Sequence, residues 1–108
     1  MEDLRKDFFS LRIVFLALGD EIRQLILLTL LEQEPKEFRV NEIAQHTYLS
    51  RAVSHHLQIL KNAGLLQIRK EGTKNYYSIK KQTMIFYQMK EMFSKIECTI
   101  KEKQNLDQ

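Results

Sequence analysis

The chain of 108 residues has few of the residues that staple or bend a small protein: one cysteine, one proline and three glycines. A single cysteine, Cys98, cannot form an intramolecular disulfide, and it excludes a zinc site built from a cysteine cluster. Little glycine and proline beside 44% hydrophobic residues is typical of an ordered, largely helical chain. At this length we expect one domain, over residues 1–108, held by packing alone.

Long hydrophobic runs and catalytic patterns are also lacking. The apolar run at residues 25–31 is far too short to cross a bilayer, and Glu2 and Asp3 do not fit an export signal. We therefore expect a cytoplasmic protein with no membrane partner. No Ser-His-Asp, paired-carboxylate or phosphate-loop pattern is found, so we assign no catalytic residue, no cofactor and no enzymatic activity.

Apolar periodicity of the helical kind dominates the first third of the chain. Hydrophobic residues recur every three or four positions between residues 4 and 18, which predicts an amphipathic helix that ends at Gly19. Asp20 is placed to cap a second helix that stops near Pro35. The apolar surface of this helix is too broad for one stripe, which predicts a central position for Ile22, Leu25, Ile26, Leu28 and Leu30.

Two short helices and a hairpin are predicted next. Asn41 and Ser50 are the expected caps of the two helices. The second of them is expected over residues 51–62, with Gly64 as its left-handed stop. After Gly64 the period changes to two on either side of a turn at residues 71–75, which predicts a β-hairpin with a polar tip.

The last third of the chain completes a recognisable order of elements. Tyr76 and Tyr77 are adjacent on a strand, so one should pack and the other should face solvent or a ligand. A wide apolar face from about Gln82 predicts a long last helix, whose polar end after Lys101 should fray. The expected fold is mainly α with a small β-hairpin wing: a winged helix-turn-helix of about five helices.

Positive charge is concentrated in the centre of the chain. The whole chain carries a net charge of only +3, but residues 43–81 contain seven Lys and Arg against one Glu, a net charge of +6, which leaves the remainder at −3. A basic centre between acidic ends is the electrostatic pattern of a surface that binds a polyanion.

The helix predicted over residues 51–62 has the composition of a DNA-reading helix. If Val53, Leu57 and Leu60 face inward, the outward row is polar and contains no carboxylate, as a helix between phosphate ridges requires. We expect sequence preference from Ser54, His55 and Gln58, and affinity mainly from basic residues on the helix and wing. The predicted DNA-binding residues are Ser50, Arg51, Ser54, His55, Gln58, Lys61, Arg69, Lys70, Thr73 and Lys74.

These motifs together resemble the ArsR/SmtB family of winged helix-turn-helix repressors. The resemblance implies a dimeric repressor whose first and last helices form the interface and whose DNA affinity is often lowered by an inducer, which the sequence does not identify. The segments that carry it are ALGDEIR (17–23), VNEIA (40–44), VSHHLQILKNAGLL (53–66), RKEG (69–72) and YYSI (76–79).

The sequence departs from the family between its two short helices. The spacing from Ala44 to Val53 is one residue shorter than usual, and Tyr48 and Leu49 stand where a glycine is usual. The exact first turn of the second helix is therefore left open by the sequence.

Metal ligands of the family are also replaced. Arg39 and Asn41 occupy the positions of its cysteine motif, and the last helix has carboxylates but no histidine. Adjacent histidines on one helix point about 100° apart, so His55 and His56 cannot share an ion unaided. We therefore expect no metal site. His56 should instead pack against the other short helix, and Cys98 should be a surface or interface thiol.

The terminal helices carry more large apolar side chains than so small a core can cover, which predicts a homodimer. The predicted interface residues are Leu4, Phe8, Leu11, Phe15, Ile85, Met89, Met92, Phe93 and Ile96. The function that the sequence favours is a dimeric repressor binding double-stranded DNA at a pseudo-palindromic operator. The alternative is a winged-helix adaptor that binds a protein partner and leaves the basic face unused.

Overall fold

Five helices and one hairpin follow each other in the order predicted from the sequence. The computed structural model of the protein describes residues 1–47 and 52–106. The elements are α1 (Glu2–Leu18), α2 (Glu21–Glu32), α3 (Val40–Thr47), α4 (Val53–Asn62), β1 (Leu66–Glu71), β2 (Lys74–Ile79) and α5 (Ile85–Leu106).

Backbone contacts divide these elements into two compact units. One comprises Met1–Arg12 and the segment that begins at Met84, and the other comprises Ile13–Thr83. The second unit contains α2, α3, α4 and the hairpin, so it holds every part of the predicted helix-turn-helix and wing. A single domain over residues 1–108 stays a prediction. Among the described residues, none of the helices is both long enough and apolar enough to cross a membrane.

The start of α2 confirms the predicted cap, and the start of α3 corrects one. Asp20 has extended backbone angles and its side chain accepts a hydrogen bond from the Arg23 N–H, as an N-cap does. Asn41 lies inside α3, because the helix already begins at Val40. Its first turn is fastened from the other direction: the Glu42 carboxylate accepts from the Arg39 N–H at 2.9 Å.

Helix α4 begins two residues later than predicted. Ala52 is its N-cap, with φ 69° and ψ 0° in the left-handed region and no side-chain cap hydrogen bond. The predicted cap, Ser50, lies outside the described residues. The helix ends as predicted: Gly64, at φ 81°, allows its N–H to bond Lys61 O while Leu65 N–H bonds Leu60 O, the pattern of a Schellman motif.

The hairpin has a shorter turn than the predicted loop. Its strands pair to the end, with Glu71 opposite Lys74, so only Gly72 and Thr73 form the turn. Gly72 has φ 62°, and glycine at the first of two turn positions is the pattern of type II′, whose twist suits a hairpin.

A third, one-residue strand segment was missed by the sequence analysis. Phe38 forms an antiparallel bridge with Tyr77 through two backbone hydrogen bonds of 2.9 and 2.7 Å. Phe38 is fully buried and Tyr77 nearly so, while Tyr76 is half-buried. The register therefore identifies Tyr77 as the packed tyrosine, and it joins the wing to the segment that precedes α3.

Two predictions about the long helices need correction. Helix α2 is buried on one face only: Ile26, Leu27 and Leu30 are buried, but Leu25 and Leu28 are exposed within the single chain. The helix contacts α3, α4 and β2, as its predicted central position requires, but its outer face is not enclosed within the single chain. Helix α5 begins at Ile85, a little later than expected, and continues to Leu106 instead of fraying after Lys101.

We predict that Ala52→Gly stabilises the protein. A left-handed conformation costs a residue with a Cβ roughly 1–2 kcal/mol, and glycine removes this cost. Part of the gain is lost, because glycine also makes the unfolded chain more flexible and so stabilises the unfolded state. The expected gain is about 0.5–1 kcal/mol in the free energy of unfolding, measured with urea at one protein concentration. Ala63→Gly is the matched control, because Ala63 is right-handed and should lose about that amount. Equal losses in both variants would contradict the argument.

Candidate nucleic-acid interface

The outward face of α4 is polar and free of carboxylates, as expected. Its inward residues Val53, Leu57 and Leu60 are 3%, 0% and 0% exposed, which confirms the predicted direction of the helix. The exposed residues on the other side are Ser54, His55, Gln58, Lys61 and Asn62. Within this row the Gln58 amide donates to Asn62 Oδ1 at 3.0 Å. The amide of the side chain that was expected to read bases is therefore directed along the helix surface toward Asn62.

A groove of about 530 Å³ separates the start of α4 from the tip of the wing. Two predicted interface residues line it: Ser54 from the helix and Thr73 from the turn. The remaining lining residues come from the start of α3, the start of α4 and the strand β2, and they are Arg39, Val40, Asn41, Ala44, Ala52, Val53 and Asn75. The groove is open, and its lining mixes polar residues with apolar ones.

The basic residues of the wing are divided between its two faces. Because side chains alternate along a strand and opposite residues share a face, Lys70 lies on the face of Asn75, which lines the groove. Arg69 and Lys74 lie on the other face. Within the described part of the chain, Lys70 and Lys74 form no ion pair, and neither does Lys61 at the end of α4.

Arg69 differs from these lysines because it is already engaged by two acidic residues. Its Nε donates to both oxygens of Glu37 at 2.9 and 3.2 Å, and its Nη1 donates to Glu71 Oε2 at 2.9 Å. Its guanidinium carbon also lies 4.5 Å from the centre of the Tyr76 ring. The hydrogen bonds to Glu71 and then Glu37 raise the pKa of Arg69 above its ordinary value.

Arg23 fixes the base of α4 to two other helices. Its Nε donates to Ala17 O at 2.7 Å and its Nη2 to Leu16 O at 3.1 Å, at the end of α1. Its Nη1 lies 3.2 Å from His56 Nδ1 on α4. Because a guanidinium can only donate, His56 Nδ1 accepts and the ring proton is assigned to Nε2. The prediction placed His56 against α3, but its hydrogen bond joins it to α2.

Asp20 shares this junction. Its Oδ2 lies 4.0 Å from the Arg23 guanidinium and its Oδ1 lies 4.0 Å from His56 Nδ1, in addition to its cap hydrogen bond. The pKa of Asp20 is lowered, chiefly because the ionised carboxylate accepts from the Arg23 backbone N–H. The cap and the junction therefore both depend on the charge of Asp20.

Some predicted residues are placed apart from this surface or not described. Ser50 and Arg51 lie outside the described residues, so their roles stay predictions. His46 meets the Phe38 ring edge-on, whereas His55 is exposed and its ring centre lies 5.9 Å from that of His56, which bonds Arg23. Over residues 1–47 and 52–106, no group of three or more His, Cys, Asp or Glu residues is arranged to hold a metal ion.

Three polar residues of the groove were not predicted as site residues: Arg39, Asn41 and Asn75. From the sequence, the first two were interpreted only as replacements for metal ligands. Their common signal was available, since a basic and a polar residue at the start of the first short helix are typical contacts of a helix-turn-helix with phosphate. Asn75 gave no signal, because it was assigned to the turn.

The predicted dimer residues fall into three classes of exposure. Leu4, Leu11 and Met92 are buried within the single chain, so they could support an interface only by packing beneath the residues that contact the partner. Phe8 and Phe93 are 49% and 46% exposed. The half-buried residues are Phe15, Ile85, Met89 and Ile96. Cys98 is exposed, as predicted for a surface thiol.

Comparison with known proteins identifies the family of this chain. Residues 20–67 match the family described as "Bacterial regulatory protein, arsR family". An uncharacterized HTH-type transcriptional regulator of Methanocaldococcus jannaschii is 41% identical over 66 residues, which are 61% of this chain and 73% of that protein. The chain belongs to the arsR family of bacterial regulatory proteins.

Solved structures agree with this membership. Reduced HlyU from Vibrio cholerae superposes with a TM-score of 0.66 at 27% identity, over 82% of this chain and 92% of that one. A homodimeric winged helix-turn-helix DNA-binding domain from Mycobacterium bovis, a possible ArsR-family regulator, gives a TM-score of 0.61 at 29% identity, over 88% and 82%. This ArsR-family chain therefore has the predicted winged helix-turn-helix fold.

The matched residues 20–67 begin at the cap of α2 and end within β1. They include the Arg23–His56 hydrogen bond and the whole of α4. The Arg69 cluster and the tip of the wing lie beyond this match, so they are described by this ArsR-family chain's own contacts.

We predict that Asp20→Ala destabilises the protein in a pH-dependent way. Because the folded-state pKa is lowered, the ionised carboxylate stabilises the fold fully above the ordinary Asp pKa of 3.8, and the stabilisation is lost as pH falls through the folded pKa. The difference in unfolding free energy from wild type should be largest at neutral pH and shrink on acidification. Urea titrations at neutral and acidic pH measure it. Glu32→Ala, at the other end of α2, controls for the loss of one charge; a constant difference for Asp20→Ala would refute the assignment.

Proposed function

We propose that the protein is a repressor that binds double-stranded DNA in a sequence-specific way. The observation that carries this proposal is the exposed, carboxylate-free face of α4 beside a groove that the tip of the wing borders. In helix-turn-helix proteins the second helix enters the major groove, and the adjacent elements contact the phosphate backbone. A cytoplasmic location follows from this function, since DNA is available there.

The proposal gives the two halves of the surface different tasks. Ser54, His55 and Gln58 point out of α4 and read base edges, and glutamine suits a bidentate contact with adenine. Lys61, Lys70 and Lys74, together with Arg39 from the groove, contact phosphates. The remaining proposed contacts are Thr73, Asn41 and Asn75 in the groove, and Ser50 and Arg51 from the predicted start of the helix.

A homodimer is the second part of the proposal. Phe8 and Phe93 expose about half of their surface, and further large apolar side chains on the same two helices are exposed, among them Phe9, Phe86 and Ile100. Apolar surface of this extent is typical of an interface. Two copies would present two α4 helices, one to each half of a pseudo-palindromic operator.

Metal independence and the absence of catalysis complete the proposal. Arg39 and Asn41 line the groove and offer no soft ligand at the positions of the family's cysteines. The sequence contains no Ser-His-Asp, paired-carboxylate or phosphate-loop pattern, so we propose no enzymatic step. An adaptor that binds protein is the alternative, and it predicts no DNA binding even at low salt.

We predict that Lys74→Ala and Gln58→Ala weaken DNA binding in different ways. Loss of one phosphate contact should weaken operator and random duplex by similar factors and make the salt slope shallower by roughly one unit. Loss of a base contact should cost about 1–3 kcal/mol on the selected operator and leave random duplex nearly unchanged. Binding of each duplex at several salt concentrations measures both effects.

The control for charge is Lys103→Ala, which removes an exposed lysine from the last turn of α5. It should leave the salt slope close to that of wild type. If Gln58→Ala lost affinity equally on both duplexes, α4 would contact only backbone and the reading residues would be wrongly assigned. Binding of neither duplex at low salt would favour the adaptor.

We predict that the protein sediments as a dimer at micromolar concentration and that Phe93→Lys shifts it toward monomer. A charge placed in an apolar interface loses its hydration without a partner, which disfavours association. Leu28→Lys is the matched control, because Leu28 is also about half exposed (54%) but lies on α2, outside the predicted interface. Dissociation by Leu28→Lys and not by Phe93→Lys would move the interface to α2, and a folded wild-type monomer would refute the dimer.

A further inference from the structure

Arg69 is the basic residue of the wing that has the most partners within the chain. Three polar contacts and one aromatic face hold it: two hydrogen bonds to Glu37, one to Glu71 and the ring of Tyr76. We propose that Glu37 and Glu71 form a carboxylate clamp that withholds Arg69 from DNA phosphates and so limits the affinity of the wing. The inference rests on the proposed DNA-binding function and names a regulation of that same surface.

Carboxylate and phosphate compete for the same donors of a guanidinium. Both accept two parallel N–H groups in the same plane, which is why arginine binds either one in a bidentate way. In the clamp, Nε and Nη1 of Arg69 are both directed to carboxylate oxygens, and Tyr76 stacks on the plane of the group. A phosphate can take the N–H of Nε and the engaged N–H of Nη1 only by displacing Glu37 or Glu71.

The position of Arg69 on the hairpin makes this competition relevant to DNA. The register puts Arg69 on the same face as Lys74, which is proposed to contact phosphate. The two residues are separated by about two steps along the strands, roughly 7 Å. Without the clamp, Arg69 would add a second cation to this face of the tip.

The charges of the cluster oppose DNA binding as they stand. One guanidinium between two carboxylates has a net charge of −1, so the cluster offsets the positive charge of Lys74 on the same face. The side chains are half exposed or nearly so, at 50% for Arg69, 32% for Glu37 and 67% for Glu71. Exposed ion pairs are weak and screened by salt, so the clamp can open when its acids are neutralised or displaced.

The test measures DNA binding by a variant whose clamp carboxylates are neutralised. It is made once in the wild-type chain and once in a chain that lacks the Arg69 side chain. Glu37→Gln with Glu71→Gln keeps the size of both side chains and removes their charge. In this double variant we expect higher affinity for random duplex and a salt slope steeper by about 0.9. Between 50 and 200 mM salt, the variant should therefore lose roughly threefold more affinity than wild type does. Arg69→Ala in the otherwise wild-type chain should leave the slope almost unchanged.

The same double substitution in the Arg69→Ala background separates the clamp from simple charge removal. In that background the affinity should rise without a steeper salt slope, because no Arg69 side chain is present to contact phosphate. Glu34→Gln, which breaks an ion pair with Lys81, is the matched control for one lost carboxylate in this unit. Circular dichroism verifies that each variant folds, and the Arg69 Nε–H resonance should shift with duplex DNA in the opened variant.

Two results would overturn the clamp. One is an equal change of slope in both backgrounds, and the other is a shallower slope for Arg69→Ala alone that matches Lys74→Ala, since Arg69 would then already contact phosphate. If wild type binds DNA and Lys74→Ala flattens the slope, such results reject only the clamp. If neither wild type nor the opened variant binds duplex at low salt, the proposed function fails and the clamp fails with it.

Discussion

The orientation of α4 depends on a single guanidinium. Arg23 satisfies the last carbonyl groups of α1, sits in the first turn of α2 behind its cap, and donates to His56 on α4. These groups would otherwise be partly buried polar atoms without partners, which is costly in a protein interior. Three helices are thus positioned by one planar group with a fixed geometry, and lysine at this position could not make the same set of contacts.

Both ends of α4 are defined by backbone conformation. Ala52 takes the left-handed conformation in which a Cβ is unfavourable, and Gly64 takes it where the Cβ is absent. The entrance of the helix therefore stores strain while its exit does not. Such strain persists only where surrounding contacts determine the structure, and here the buried Val53, Leu57 and Leu60 supply those contacts.

Elements whose cause is local could be predicted from the sequence. The cap at Asp20, the stop at Gly64 and the inward row of α4 all follow from residues a few positions apart, and the structure confirms them. The start of α4 could not be predicted, because an alanine in a left-handed conformation contradicts its own local preference. The Phe38 bridge could not be predicted either, since a one-residue strand segment has no period.

The candidate site shows the same division. The row of exposed polar residues on α4 was predictable from its composition and period. The partners of Arg69 were not, because Glu37 is 32 positions away and approaches only through the pairing of Phe38 with Tyr77. A count of charges along the chain records Arg69 as a cation, but the folded wing neutralises it. Charge patterning therefore counted a cation whose charge is balanced in the folded wing, and the surface that it predicts stays a prediction.

The two-residue turn fixes the length of the wing. Six paired residues on each strand, joined by a two-residue turn, give a hairpin about 20 Å long with no slack at its tip. The Phe38 bridge joins Tyr77, in the middle of β2, to the segment that leads into α3, so only the three residue pairs nearest the turn extend beyond it. A contact at the tip and a contact on α4 would then be separated by a fixed interval, so an operator with one base pair added between them could not satisfy both.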